Sequence, residues 1–281
     1  MKPVLKWAGG KARLAPRICA AFTGPCSGTY LEPFAGAAAV ALYRLHRGEI
    51  GDAVLTDVNH KLIAVHAAIR DHVDDVLAEL EAMPYDDWKE RYYEVRAAFN
   101  EGPHKGPAHA ARFLWLNRAG FNGLYRENQS GGFNVPIGRY KHVSMPSEAH
   151  FRGVSELLRG VHLSADDFRT ALARAGRGDQ VYCDPPYVPL SATANFTSYS
   201  KAPFGLTEQL ALASASREAA GRGAQVVLSN HDTPLVRTRI YPRAHGFRFV
   251  ATPEVSRAIS RNGTNRAAVS EVIAAIGPVA A

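Results

Sequence analysis

Short apolar runs ending on turn residues alternate along this chain with stretches whose apolar positions repeat at helical spacing. Thr29–Glu32, Ala53–Thr56, Val181–Cys183, Gln225–Ser229, Phe247–Ala251 and Ala267–Ile273 read as strands, and Val161-His162-Leu163 is a further strand-like run. Between them, Gly36–His46 and Thr207–Ala220 carry the periodicity of helices. Such alternation predicts an α/β domain with a mostly parallel sheet.

From about His60 to Gly160 the alternation stops. Helical patterns cover Lys61–Ile69, Val73–Leu80, Asp86–Asn100 and Pro107–Ala119, followed by the glycine- and asparagine-rich stretch Gly120–Ser147. A loop of that length in a compact domain is usually functional or disordered. The predicted organisation is a discontinuous core, residues 1–60 and 161–281, with a helical insertion over 61–160 that carries the loop.

A chain of 281 residues has room for that arrangement, and its apolar fraction of 46% is ordinary for a globular protein. No apolar run nears the ~20 residues of a membrane span. The start, Met1–Lys6, lacks a signal-peptide core. Cys19, Cys26 and Cys183 show no metal-ligand spacing and cannot all pair, which points to a reduced, cytoplasmic setting and no metal. The net charge of +7 favours a polyanionic partner. Arg112, Arg118, Arg126 and Arg139 fall in one central segment, and Arg257, Arg261 and Arg266 near the end.

Candidate chemistry centres on Asp184-Pro185-Pro186-Tyr187, directly after the strand Val181–Cys183. The segment reads in two ways: as a strand-ending turn, or as a clamp for a nucleobase amine. In the second, Asp184 accepts from the amine, rigid prolines aim their carbonyls, and Tyr187 stacks on the base. Leu31–Val40 passes from a strand through a small-residue turn at Gly36 into a helix, a place where backbone can approach a ligand. Asp57 ends the next strand, 21 positions after Gly36, which suits a ribose diol or equally a helix cap. Lys6-Trp7-Ala8-Gly9-Gly10-Lys11 lacks the phosphate-loop spacing, and Ala12 stands where a metal-binding hydroxyl is needed, so a nucleotide triphosphatase is disfavoured.

The ordered set of these pieces resembles the Dam-type family of DNA adenine-N6 methyltransferases. It comprises Lys6–Lys11, Glu32-Pro33-Phe34-Ala35-Gly36, Asp57-Val58-Asn59, Leu116-Asn117-Arg118, Phe121–Arg126, Phe133–Tyr140, Asp184–Tyr187, Leu190–Tyr199, Ser229–Thr233 and Arg257–Ser260. The resemblance implies a Rossmann-like core using S-adenosylmethionine, with a mainly helical target-recognition insertion acting on duplex DNA. It implies a cofactor pocket of Trp7, Lys11, Gly36, Asp57, Asp167 and Asp184, and a catalytic loop of Asp184, Pro185 and Tyr187. It implies DNA contacts from Lys6, Phe121, Asn122, Leu124, Arg126, Pro136 and Arg139, with GATC as target. A monomeric, nucleoid-associated enzyme without a metal is expected. The rivals are methylation of cytosine N4, of an RNA base or of a protein glutamine amide, and a catalytically silent DNA-binding module. Ala38 departs from the family pattern, which has a second glycine there, and an alanine is expected to keep an ordinary backbone conformation. His231 is expected to be a structural hydrogen-bonding residue.

Overall fold

A computed structural model describes residues 1–190, 204–256 and 268–278. The expectations for Ser191–Tyr199 and for Arg257, Ala258, Ile259, Ser260, Arg261 and Arg266 lie outside those residues.

The elements run α1 (Ala15–Cys19), β1 (Tyr30–Glu32), α2 (Ala39–His46), β2 (Ala53–Thr56), α3 (His60–Asp71), α4 (Val73–Glu81), α5 (Trp88–Glu101), α6 (Gly106–Ala119) and α7 (Glu148–Leu158). They continue with β3 (Val161–Ser164), α8 (Phe168–Arg174), β4 (Gln180–Cys183), α9 (Leu206–Gly221), β5 (Gln225–His231), β6 (Arg248–Ala251), β7 (Glu254–Ser256) and β8 (Ala268–Ile276). The sheet order is β3-β2-β1-β4-β5-β8-β6, with β7 also paired to β8. The first five strands are parallel, and β8 runs antiparallel to β5 and β6. The strand order reverses direction between β1 and β4. In an open α/β sheet, ligands bind outside the strand ends at such a switch point.

Two apolar clusters cover the sheet. One joins Tyr30, Leu55, Tyr182 and Val227 to residues of α2 through α7. The other joins Leu31, Val181, Leu228 and Ala274 to α8 and α9. Within the first, α6 is buried nearly all round, from His109 to Ala119, because helices pack on several of its faces. Asn59 caps α3 by accepting from the Leu62 N–H at 3.1 Å, and Ser147 caps α7 from the His150 N–H at 3.3 Å.

The turn from β1 into α2 corrects one expectation. Ala38 adopts a left-handed conformation, φ 58° and ψ 36°, and is fully buried. The turn needs that conformation whatever residue fills it, because neighbours fasten it on three sides. The Ala35 N–H donates to the Thr56 carbonyl at 2.9 Å, the Gly36 N–H to Asp57 Oδ2 at 3.0 Å, and His66 Nε2 to the Gly36 carbonyl at 2.8 Å. An alanine held there costs on the order of 1 kcal/mol or more.

Beneath the turn, Glu32 is buried and accepts from the Tyr30 hydroxyl at 2.6 Å. Burial pushes its carboxyl up to about 8, against the hydrogen bonds that lower it. The folded state therefore holds a proton that the unfolded chain releases above its ordinary value near 4.5. Stability is greatest below that value and falls as the pH rises toward 8, by up to about 1.4 kcal/mol per pH unit. Glu32→Gln keeps an acceptor for Tyr30 and is expected to flatten this slope. Urea unfolding at about pH 5 and about pH 7.5 measures it, and an unchanged slope rules Glu32 out as its source.

Candidate active site

The motif residues assemble at the carboxyl ends of β1, β2, β4 and β5. Gly36 must be glycine: its φ is +48°, and a Cβ there would lie 2.8 Å from Trp7 Cδ1. Trp7 continues away from that contact into a ring stack, 5.7 Å from Tyr125 and 6.4 Å from Phe113. It thus connects the turn after β1 with the loop after α6. Asp57 directly follows β2, where Oδ2 accepts from the Gly36 N–H and Oδ1 from the Asn59 N–H, each at 3.0 Å. Burial raises its pKa while those two bonds lower it. Each carboxylate oxygen has a further lone pair for a hydroxyl donor. The helix after Asp57 is capped by Asn59, so Asp57 is not its cap.

Asp167 caps α8, accepting from the Arg169 N–H at 2.9 Å and pairing with the Arg169 guanidinium at 3.1 Å. The neighbouring Phe168 stacks on Phe34 at 5.6 Å, and Phe204 packs edge-on to both.

Asp184 begins the loop after β4. Its Oδ2 lies 3.2 Å from Lys11 Nζ, while its Oδ1 is buried and has no hydrogen-bond partner among the described residues. Burial raises the Asp184 pKa, and the Lys11 ammonium pulls it back. Lys11 itself is buried, donates to the Gly9 carbonyl at 2.6 Å, and stands 4.8 Å from the centre of the Tyr187 ring.

The rest of the loop is held rigidly by residues of α9 and β5. Gln209 Nε2 donates to the Pro186 carbonyl at 2.7 Å. Asn230 Oδ1 accepts from the Val188 N–H at 3.1 Å, and its Nδ2 donates to Gln209 Oε1 at 3.0 Å. His231 Nδ1 lies 2.6 Å from the Val188 carbonyl, and its ring meets Tyr187 edge-on at 4.9 Å. The expectation that His231 is a structural hydrogen-bonding residue agrees with these contacts. Among the described residues nothing donates to the Pro185 carbonyl, so this loop presents two unused acceptors, Asp184 Oδ1 and Pro185 O. Gln209 on α9 was missed, and its sequence signal is a polar side chain in a helix with an apolar face, whereas Asn230 at the end of β5 lies in the Ser229–Thr233 motif without an assigned task.

The stretch after α6 is more ordered than its composition suggests. Phe121–Gly123 form a short 3-10 turn with Asn122 at φ 54°, and the chain then doubles back through bridges Glu127↔Phe133 and Gly120↔Ile137. Lys61 on α3 anchors the hairpin through Glu127 at 2.8 Å and the Gly131 carbonyl at 2.5 Å. Asn100 on α5 exchanges two bonds with Phe133. Arg126 is held by Asn134: its Nε donates to Oδ1 at 2.6 Å and its Nη2 to the carbonyl at 3.0 Å, which leaves the Nη1 edge with two donors. Phe121 and Leu124 pack partly on the core, while Pro136 and Arg139 are exposed. Asn117 bridges this loop to the N-terminal segment, accepting from the Lys6 N–H and donating to the Lys6 and Gly123 carbonyls. Lys6 Nζ lies 4.8 Å above the Tyr140 ring. Among the described residues no His, Cys, Asp or Glu cluster is arranged for a metal ion, and no helix is long and apolar enough to cross a membrane.

Residues 7–245, which include all of these elements up to the segment before β6, match the D12 class N6 adenine-specific DNA methyltransferases. The chain belongs to this family. It is 39% identical over 279 residues to a DNA adenine methylase of Salmonella typhi and 38% identical to that of Escherichia coli, covering 98% of this chain and 95% of each relative. It is also 36% identical over 243 residues to the type II methyltransferase M.MjaIII of Methanocaldococcus jannaschii, covering 82% of this chain and 84% of that protein. As a member of the D12 class, the protein is a DNA adenine methyltransferase built on a Rossmann-like core.

Proposed function

We propose that this methyltransferase transfers a methyl group from S-adenosylmethionine to N6 of an adenine flipped out of duplex DNA, within GATC. The observation that carries the reading is a pair of acceptors at the end of β4, Asp184 Oδ1 and the Pro185 carbonyl, that no described residue occupies.

Adenine N6 is a weak nucleophile because its lone pair is delocalised into the ring. Two acceptors aimed at its two N–H bonds draw the nitrogen toward tetrahedral geometry and free the lone pair for attack. They also stabilise the positive charge that develops on nitrogen, and a preorganised site does so without reorganising at the moment of reaction. The sulfonium of S-adenosylmethionine supplies an electrophilic methyl group, so the protein's task is positioning. The proton lost from N6 after transfer passes to Asp184 or to solvent.

The donor molecule fits the turn after β1. Gly36 offers backbone with no room for a side chain, Asp57 keeps lone pairs for ribose hydroxyls, and Trp7 and Lys11 close the sides. Asp167 with the Phe34–Phe168 stack forms the edge assigned to the donor's adenine. A base in a duplex cannot reach this loop, and flipping it costs a few kcal/mol. Stacking on Tyr187 returns about 1–3 kcal/mol of that cost.

Residues 61–160 serve as the target-recognition part, and residues 1–60 with 161–281 as the catalytic core. Arg126 presents the free edge of its guanidinium for a guanine, with Asn134 fixing its plane. Asn122 faces an adenine or the backbone, Phe121 fills the gap left by the flipped base, and Leu124 and Pro136 touch thymine methyls. Lys6 and Arg139 contact phosphates.

Mapping N6-methyladenine in DNA from cells expressing the chain tests the target: methylation at GATC is expected, and methylation of a different site would replace that assignment. Arg126→Ala is expected to relax the choice at one base pair by about 1–3 kcal/mol. A uniform loss across all sequences would make Arg126 a phosphate contact instead.

A further inference from the structure

Glu271 is an acid in the middle of the apolar strand β8, outside every motif named above. A carboxylate placed on a largely buried sheet is costly unless it is paired. Its partners turn out to be the residues of the methyl-transfer loop. Glu271 Oε2 accepts from the Tyr187 hydroxyl at 3.0 Å and lies 3.9 Å from Lys11 Nζ. Its register partner across the β5–β8 ladder is His231, the residue that packs edge-on against Tyr187. Among the described residues, the titratable groups facing Glu271 are Lys11 from the N-terminal segment, Tyr182 from β4, Asp184 and Tyr187 from the loop after β4, and His231 from β5. Its own N–H is occupied by the Pro253 carbonyl, which fixes the strand at this point.

Two carboxylates thus share one buried ammonium, Asp184 at 3.2 Å and Glu271 at 3.9 Å. If Lys11 served Asp184 alone, its charge would cancel the anion that must accept the base amine. With Glu271 on the other side, the three groups carry a net charge of minus one when both acids are ionised. That charge complements a nitrogen becoming positive.

We propose that Glu271 is a positioning residue for methyl transfer, which holds the Tyr187 ring through its hydroxyl and divides the Lys11 ammonium between two carboxylates, so that the cluster facing the base keeps a net negative charge. The inference rests on the reading of Asp184 as the amine acceptor. It has a consequence for pH dependence. Burial and the neighbouring Asp184 charge raise the Glu271 pKa, against the opposing pull of Lys11. Glu271 then takes up a proton as the pH falls, and turnover declines with it on the acid side.

Glu271→Gln and Glu271→Ala separate the two tasks. Glutamine keeps an acceptor for Tyr187 but removes the charge, whereas alanine removes both. For Glu271→Gln, kcat is expected to fall about tenfold with KM for S-adenosylmethionine and DNA little changed. Its acid limb is expected to move to lower pH by about one unit, because the group that titrates there is gone. Glu271→Ala is expected to lose about 10²-fold, since Tyr187 is released as well. A merely structural residue would reduce the folded fraction and leave the acid limb in place. Wild-type kcat and an unshifted limb in Glu271→Gln would overturn the proposal. Asp184→Asn in the same assay distinguishes the two failures. If it is inactive while Glu271→Gln behaves as wild type, only the Glu271 inference fails, whereas turnover by Asp184→Asn would remove the reading beneath it.

Discussion

Replacing Asp184 by alanine is expected to lower the single-turnover rate of methyl transfer by about 10³-fold, the upper range for deleting one preorganised polar group at a developing charge. Among the described residues, Asp184 Oδ1 has no partner, while the other carboxylate oxygen is taken by Lys11. An empty buried acceptor is costly to a folded protein, and such groups persist where a ligand satisfies them. The Pro185 carbonyl remains in the variant, so the loss is of one acceptor out of two. S-adenosylmethionine titrated by calorimetry is expected to bind the variant nearly as it binds the parent, since the proposed contact of Oδ1 is to the base amine. Rapid turnover by Asp184→Ala would show that the loop serves shape alone. Loss of donor binding together with activity would make Asp184 a donor-pocket residue as well, the second role that the family resemblance implies for it.

The second large effect is on stability. Lys11→Met removes the ammonium from between Asp184 and Glu271 while keeping most of the side-chain volume. Breaking a buried ion pair by deleting one partner commonly costs about 3–5 kcal/mol, and here the low end, about 3 kcal/mol, is expected. The reason is that Asp184 retains 20% and Glu271 13% of their side-chain exposure, so water screens part of the exposed charge. The sign with pH follows from the two acids. Both already have raised pKa values in the fold, with Lys11 as an opposing influence on each. Without Lys11 both rise further, so the folded variant holds protons that the unfolded chain releases. Its deficit is full at neutral pH and shrinks as the pH falls to about 4–5, the ordinary carboxylate range. Urea unfolding of parent and variant across that range checks this. A deficit that is equal at every pH would assign Lys11 a packing role.

Much of the architecture was legible because it is encoded locally. The bounds of β2, Ala53–Thr56, agree with the apolar run read from the sequence, and α3 to α6 lie within two residues of their predicted starts. The strands β1, β3 and β4 are short yet legible as apolar runs, whereas α8 and β7 are not. α8 has only Phe168, Ala171 and Leu172 as buried positions, too few for a helical period to stand out. β7 spans three residues, and only pairing with β8 makes it a strand. The left-handed conformation of Ala38 is not legible locally, because it is imposed by three contacts from distant residues against the backbone preference of an alanine. The hairpin after α6 depends on Lys61 and Asn100, which approach from two different helices.

The site divides along the same line. By itself the sequence determined the family, the order of its motifs, the strand-to-loop positions of Gly36, Asp57 and Asp184, and the residue types in the loop after α6, because each of these lies within a few consecutive residues. Only the tertiary structure decided which oxygen of Asp184 is free, that Lys11 is shared, and that Glu271, Asn230 and Gln209 support the loop. Those facts depend on β8 returning antiparallel beside β5 and on the N-terminal segment crossing over the ends of β1 and β4. Proximity between residues 11, 184 and 271 is a property of that path through space, and no local pattern of side chains records it.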